Sequence, residues 1–185
     1  MVAPEINIKR ADKSDAQLLS DLSNVTFIET YRDCAPDEDL LKFMDECYSE
    51  TVIAKELENP DDFYFIAYIN NFPAGYMRIA EDPQQYPIKE KYKAIHLKRI
   101  YVLKEYHSQK IGAALMSFAL QLAYEKGYEL LWLGVYEHNA KAKLFYKKWG
   151  FEDRNLPHTF HVGNSSHTDY WLLKFIDEDV LKKST

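Results

Sequence analysis

Apolar and polar residues alternate over INIKRA (6–11), the pattern of a strand with one buried face. From Ser14 the period changes. SDAQLLSDLSNVTFIETYRD (14–33) spaces its apolar residues at three and four, which predicts a helix capped by Ser14. DEDLLKFMDECY (37–48) and ETVIAKELEN (50–59) predict two shorter helices, the second stopped at Asn59-Pro60. FYFIAYI (63–69), the turn NNFP and AGYMRIA (74–80) read as a hairpin, and EDPQQYPIKEKYK (81–93) as a loop before the strand AIHLKRIYV (94–102). A helix then begins near Gln109 and runs through Lys126 to a closing Gly127. LLWLGVY (130–136) is almost wholly apolar, as a strand buried on both faces would be. NAKAKLFYKKWG (139–150) is a helix ending at Gly150, and two strands near 151–162 and 168–176 finish the chain. This order predicts an α/β fold: a mixed α+β sheet of about seven strands with helices on both faces.

Length and composition narrow the class. With 185 residues, 46% of them hydrophobic, the chain suits one well-buried core and reads as a single domain, 1–185. No repeat, linker or low-complexity tract interrupts it. The 29 acidic residues outnumber the 23 basic ones, giving a net charge of −6, which disfavours a nucleic-acid surface and suits small cationic ligands. The 14 tyrosines come without a basic stripe, so they fit core and groove better than base stacking. Cys34 and Cys47 show neither metal spacing nor a disulfide framework. With no apolar run of membrane-spanning length and no signal-like start, the expectation is a cytoplasmic protein with no membrane partner.

The chemistry begins at YHSQKIGAALM (106–116). A strand that passes through a short turn into a helix presents unpaired N–H groups and the positive end of the helix dipole, which favours anions. Gly112, Ala113 and Ala114 keep side chains out of the approach, so a phosphate could touch the amides. The plainer reading is tight packing of the helix on the sheet. The Walker pattern fails because Lys110 precedes Gly112, and the dinucleotide fingerprint fails for want of two more glycines. His158, His161 and His167 lie near Asp153 and Asp169, but their spacing matches no zinc pattern and they read as surface histidines, with no metal expected.

The stretch resembles the acetyl-CoA motif of the GNAT superfamily of N-acetyltransferases, Arg/Gln-x-x-Gly-x-Gly/Ala followed by x-x-Leu-Leu. Two registers are possible. Gln109-x-x-Gly112-x-Ala114 matches literally; His107-x-x-Lys110-x-Gly112 keeps x-x-Leu115-Met116 in place and is preferred, although histidine and lysine then stand where Arg or Gln and the first glycine are usual. Downstream, Asn139-x-x-Ala142-x-x-Phe145-Tyr146-x-x-x-Gly150-Phe151 resembles the family's second signature almost without departure. Ala142, Phe145 and Trp149 read as the core stripe of that helix. The nearest resemblance within the family is to the PaiA type of spermidine/spermine N-acetyltransferases, through Thr26-Phe27, Thr30-Tyr31, Arg99-Ile100-Tyr101, Trp132-Leu133-Gly134-Val135 and Thr168-Asp169.

The resemblance implies an enzyme that uses acetyl-CoA as co-substrate and a small primary amine, such as a polyamine, as acceptor. It assigns Ile100, Tyr101 and Val102 to the pantetheine, and His107, Ser108, Gln109, Lys110, Ile111, Gly112 and Ala113 to the phosphates. Asn139 would bond the coenzyme arm or simply cap its helix, and Tyr146 would protonate the leaving thiolate as well as touch the coenzyme. Many relatives place glutamate where this chain has His96 and Lys98, which leaves His96 as the candidate base, acting through water. Glu29 and Tyr31 are candidates for the acceptor side. Other acceptors (a protein amino terminus, an amino acid, an aminoglycoside), a non-catalytic acyl-CoA sensor and a homodimer remain open at this level.

Overall fold

The computed structural model describes residues 5–82, 85–88, 92–163 and 165–179. Part of the loop expected over 81–93, and residues 176 onward in part, lie outside these ranges. The strands are β1 (Ile6–Arg10), β2 (Asp62–Ile69), β3 (Phe72–Ala80), β4 (Ala94–Val102), β5 (Leu130–Tyr136), β6 (Glu152–Val162) and β7 (Ser165–Phe175). The helices are α1 (Ala16–Tyr31), α2 (Asp37–Tyr48), α3 (Glu50–Glu58), α4 (Ile111–Glu125) and α5 (Ala140–Lys148). The sheet order is β1-β2-β3-β4-β5-β7-β6, a mixed seven-stranded sheet as the hydrophobic pattern predicts. Two compact units divide the chain: residues up to 79 with 99–116, and 80–98 with 117 onward.

In the first unit, β1 pairs antiparallel with β2 from Ile6↔Ile69 to Arg10↔Phe65. Asn70 and Asn71, with φ of 49° and 67°, make the β2–β3 turn, and asparagine tolerates that left-handed geometry better than most residues. Helix α1 starts later than its Ser14 suggests. Asp12 accepts the Ser14 N–H at 2.8 Å while Asp15 accepts the Asp12 N–H at 3.0 Å, so this capping box holds a short 3₁₀ turn (Lys13–Asp15) ahead of α1. The core gathers Leu19, Leu22, Ile53, Tyr64, Ile66 and Tyr76. Next to it, Phe27 packs on Phe43, Tyr48 and Tyr31 with centroids 5.0 to 5.3 Å away.

In the second unit, β4 runs parallel to β5 through Ala94↔Leu130, Ile95↔Leu131 and His96↔Trp132. β5 pairs antiparallel with β7 along its whole length, and β7 with β6. The apolar run of β5 is buried as expected, with Leu130, Leu131, Trp132 and Leu133 at 1% exposure or less. β7 begins at Ser165, earlier than its apolar stretch alone marks, because Val162↔Ser165 closes the hairpin beside Gly163, which has φ of 57°.

Candidate active site

The first unit supplies the strand-turn-helix passage. β3 comes close to the end of β4: a Cβ on Gly75 would sit 2.5 Å from the Tyr101 carbonyl oxygen, so only glycine fits there. Beyond β4 the chain makes a 3₁₀ turn (Lys104–Tyr106) and enters α4 at Ile111, two residues after the expected start. Ser108 and Lys110 have φ of 68° and 64°. This left-handed pair turns the backbone so that Lys110 accepts the Ala114 N–H at 2.9 Å and the amides of Ile111, Gly112 and Ala113 open the helix without intrahelical acceptors. Lys110 stands where the preferred register puts the family's first glycine, and its positive φ gives the physical reason for glycine at that point. His107 is exposed, with its Nε2 2.9 Å from the Val102 carbonyl oxygen, which ties the turn back to the end of β4. Gln109 is exposed as well. Donor set and geometry fit a pyrophosphate.

The two acceptor-side candidates have neighbours in this unit. Glu29 Oε2 accepts the Lys104 N–H at 2.9 Å and thereby tethers α1 to the turn. The Tyr31 hydroxyl lies 3.4 Å from that of Tyr101, which links α1 to β4.

In the second unit, Asn139 caps α5: its Oδ1 accepts the Ala142 N–H at 3.0 Å. Tyr146 is the buried residue of α5, packed against Phe145 and Phe151 at 5.5 and 5.7 Å, while Ala142, Phe145 and Trp149 are only half-buried rather than a core stripe. His96 is buried at 6% exposure with its ring stacked 3.6 Å from Trp132. Its Nδ1 is 3.5 Å from Asp82 Oδ2, and Lys98 Nζ is 2.7 Å from the same oxygen. The His96 contact, with Lys98 adding to it against the opposing effect of burial, holds the Asp82 carboxyl well below the usual range. A carboxylate on Nδ1 orients an imidazole as a base through its other nitrogen.

Sequence spacing does not reveal Asp82 as a partner: it follows the end of β3, 14 positions from His96. One expectation needs correcting. His167 is not a surface histidine: at 8% exposure it is buried against Phe160 and Tyr136, because it points to the covered face of the β6–β7 hairpin. Among the described residues, no three His, Cys, Asp or Glu side chains are grouped to hold a metal ion, and no helix is long and apolar enough to cross a membrane.

These features define an acyltransferase architecture, and the family model described as the acetyltransferase (GNAT) family matches residues 19–151. The chain belongs to that family and is an N-acetyltransferase that takes its acetyl group from acetyl-CoA. An uncharacterised N-acetyltransferase from the pepI 3′ region of Lactobacillus delbrueckii subsp. lactis is 29% identical over 170 residues, spanning 91% of this chain and 96% of its own. An uncharacterised N-acetyltransferase of Mycobacterium tuberculosis is 29% identical over 162 residues, 87% of this chain and 97% of its own. Among solved structures, the PaiA N-acetyltransferase from Thermoplasma acidophilum in complex with coenzyme A aligns with a TM-score of 0.75 at 22% identity, over 92% of this chain and 99% of that one. The ribosomal-protein-S18-alanine N-acetyltransferase of Escherichia coli aligns at 0.68 with 16% identity, over 94% and 95%. Both structural likenesses are likenesses of fold.

Proposed function

We propose that this enzyme, acting as one domain, acetylates the primary amine of a small molecule, with polyamines such as spermidine or spermine the acceptors to try first. The observation that carries the reading is the left-handed Ser108–Lys110 turn, which opens the first amides of α4 to an anion. Acetyl-CoA supplies an activated thioester. The backbone of Ile100, Tyr101 and Val102 holds its pantetheine arm and polarises the acetyl carbonyl; the amides of Ser108 and of Lys110 to Ala113, with the side chains of His107, Ser108 and Gln109, hold the phosphates. Asn139 keeps its cap and turns its amide nitrogen to the coenzyme arm. Tyr146 gives its phenolic proton to the departing sulfur, and His96, oriented by Asp82, takes the amine's proton through water. Glu29 and Tyr31 are the first unit's candidates for the acceptor side. The acidic balance of the chain and the resemblance of its sequence motifs to the PaiA type support an acceptor with more than one ammonium group.

Calorimetry tests the donor. The wild type should release heat with acetyl-CoA and gain about 2.7 kcal/mol of stability at a hundredfold excess over Kd; Gly112→Glu should lose both through clash and like charge. Tyr146→Phe should keep folding and acetyl-CoA affinity while turnover falls about 10²- to 10⁴-fold. Absence of heat with millimolar acetyl-CoA overturns the reading of the turn. Binding without thiol release for any amine in a broad panel would make the chain a sensor instead.

A further inference from the structure

One face of the second unit's sheet encloses a carboxylate in rings. Side chains alternate along β7, so His167, Asp169 and Trp171 share a face. Tyr136 of β5 stands directly opposite Asp169 on one side and His158 of β6 on the other. The rings close up around it: His158 lies 4.8 Å from Trp171, and Tyr136 lies 5.6 Å from His167. Gly134, opposite Trp171, makes room for this arrangement. A Cβ there would lie 2.9 Å from the Trp171 ring and 3.1 Å from Asp169 Oδ2.

Two polar atoms on this face are left over. Asp169 Oδ1 and His167 Nε2 are buried and have no hydrogen-bond partner among the described residues, and His167 as a whole is 8% exposed. Nor does Asp169 form an ion pair among those residues. A buried carboxylate without a cation is unfavourable, and so is a buried acceptor without a donor, so the face has the chemistry of a site that awaits a positively charged donor. Ring faces attract an organic cation through their quadrupoles and shield it from water. An anion would meet the carboxylate's repulsion, and a metal ion would find one carboxylate among aromatic walls.

We propose that Asp169, walled by Tyr136, His158, His167 and Trp171, is the acceptor subsite and binds the ammonium group of a primary alkylamine. The proposal rests on the reading of the chain as an acetyltransferase of small amines. An ammonium has three N–H donors. One meets Asp169 Oδ1. With His167 Nδ1–H given to the Tyr136 hydroxyl, 3.4 Å away, Nε2 of His167 accepts a second. The alkyl stem lies along the Trp171 and Tyr136 rings. Asp169 is in this account a binding residue, and Gly134 the position that lets it lie over β5.

The test uses the full-length enzyme with n-butylamine as probe. Asp169→Asn should raise the KM for butylamine at least 10-fold while the acetyl-CoA dissociation constant stays within twofold and the melting temperature does not fall. Asp169→Glu should recover part of the loss, and Gly134→Ala should raise KM in the same way by displacing the carboxylate. An unchanged KM in Asp169→Asn overturns the proposal, since an ordered water then satisfies these atoms; equal losses of acetyl-CoA binding and folding overturn it too, since the role is then structural. If even the wild type fails to bind acetyl-CoA, the acetyltransferase reading fails on its own. Quenching of Trp132 and Trp171 fluorescence by butylammonium chloride, lost in Asp169→Asn, still decides the subsite; no quenching in the wild type rejects it.

Discussion

Buried carboxylates meet opposite treatment at two places, the Arg78–Arg99 network of the first unit and Asp169 of the second, although the second unit also pairs its Asp82 with Lys98. In the first, Arg78 spans Asp62 through Nε at 2.9 Å and Nη2 at 2.5 Å, and gives Nη1 to Glu56 at 2.5 Å. Arg99 gives Nη1 to the Tyr64 hydroxyl at 2.5 Å and to Glu56 at 3.3 Å, reaches the Cys47 carbonyl at 3.2 Å, and lies 4.7 Å over the Tyr48 ring. Tyr64 donates its own proton to Glu56. Two cations meet two anions, and α3 is thereby fastened to β2, β3 and β4. In the second unit Asp169 has no such partner among the described residues. A network satisfied from within stabilises the fold; a carboxylate left unsatisfied destabilises the free protein and becomes useful when a ligand arrives.

Breaking the closed network should have the largest effect on stability. Arg78→Ala strands Asp62 and Glu56 with less than their charge complement in a buried setting, and the expected loss is about 3 to 5 kcal/mol, read from the urea midpoint. A loss below about 1 kcal/mol would mean that the network behaves like an exposed ion pair, and the contrast between the units would disappear.

Asp169→Asn should move stability the other way. Burial, reinforced by Glu137, pushes the Asp169 carboxyl up to about 6. Its folded-state value exceeds the ordinary one, so the folded protein binds more protons between about pH 4 and 6 and loses stability as pH rises through that window. At pH 7.5 the amide variant should therefore be more stable than the wild type, by at most about 3 kcal/mol, and the difference should shrink by pH 4. Acceptor binding follows the opposite course. Butylamine kcat/KM should fall towards 10-fold per unit below pH 6 as Asp169 takes a proton, a group that Tyr136 of β5, Glu137 just after it, His158 of β6 and His167 of β7 all face. Wild-type and Asp169→Asn profiles measured side by side separate the Asp169 contribution from theirs. A variant less stable than the wild type at pH 7.5 would place Asp169 with the closed network.

Features that depend on neighbours in sequence were legible. The apolar run LLWLGVY, the Asn70–Asn71 turn and the Asn139 cap each state a local preference that the fold keeps. The start of α1 is ambiguous in the sequence because Asp12 and Ser14 are both good caps, and the carboxylate pair Asp12/Asp15 wins. What escaped the sequence depends on pairing between strands. Arg99 reaches Glu56 across 43 positions, and Asp169 meets Tyr136 and His158 only through the β5–β7–β6 register. The one local hint was an aspartate entering the apolar stretch YWLL, which is an unusual place for an unpaired charge.

The smallest effect sharpens the contrast through salt. Buried charges are screened weakly, whereas a second ammonium of a longer amine would rest at the exposed rim, where each contact is worth roughly 0.2 to 1 kcal/mol. At low salt, spermidine should therefore exceed butylamine in kcat/KM by about 1.4- to 5-fold for one such contact. Between about 0.05 and 0.5 M NaCl the Debye length shortens by roughly threefold, and that advantage should shrink towards unity. The stability gap between wild type and Arg78→Ala should hardly change over the same range, because its partners are out of reach of the ions. Equal rates for the two amines at low salt would remove the polyamine preference and leave a monoamine acceptor. A stability gap that closed with salt would show that the first unit's network is wet, and that its difference from Asp169 is one of degree.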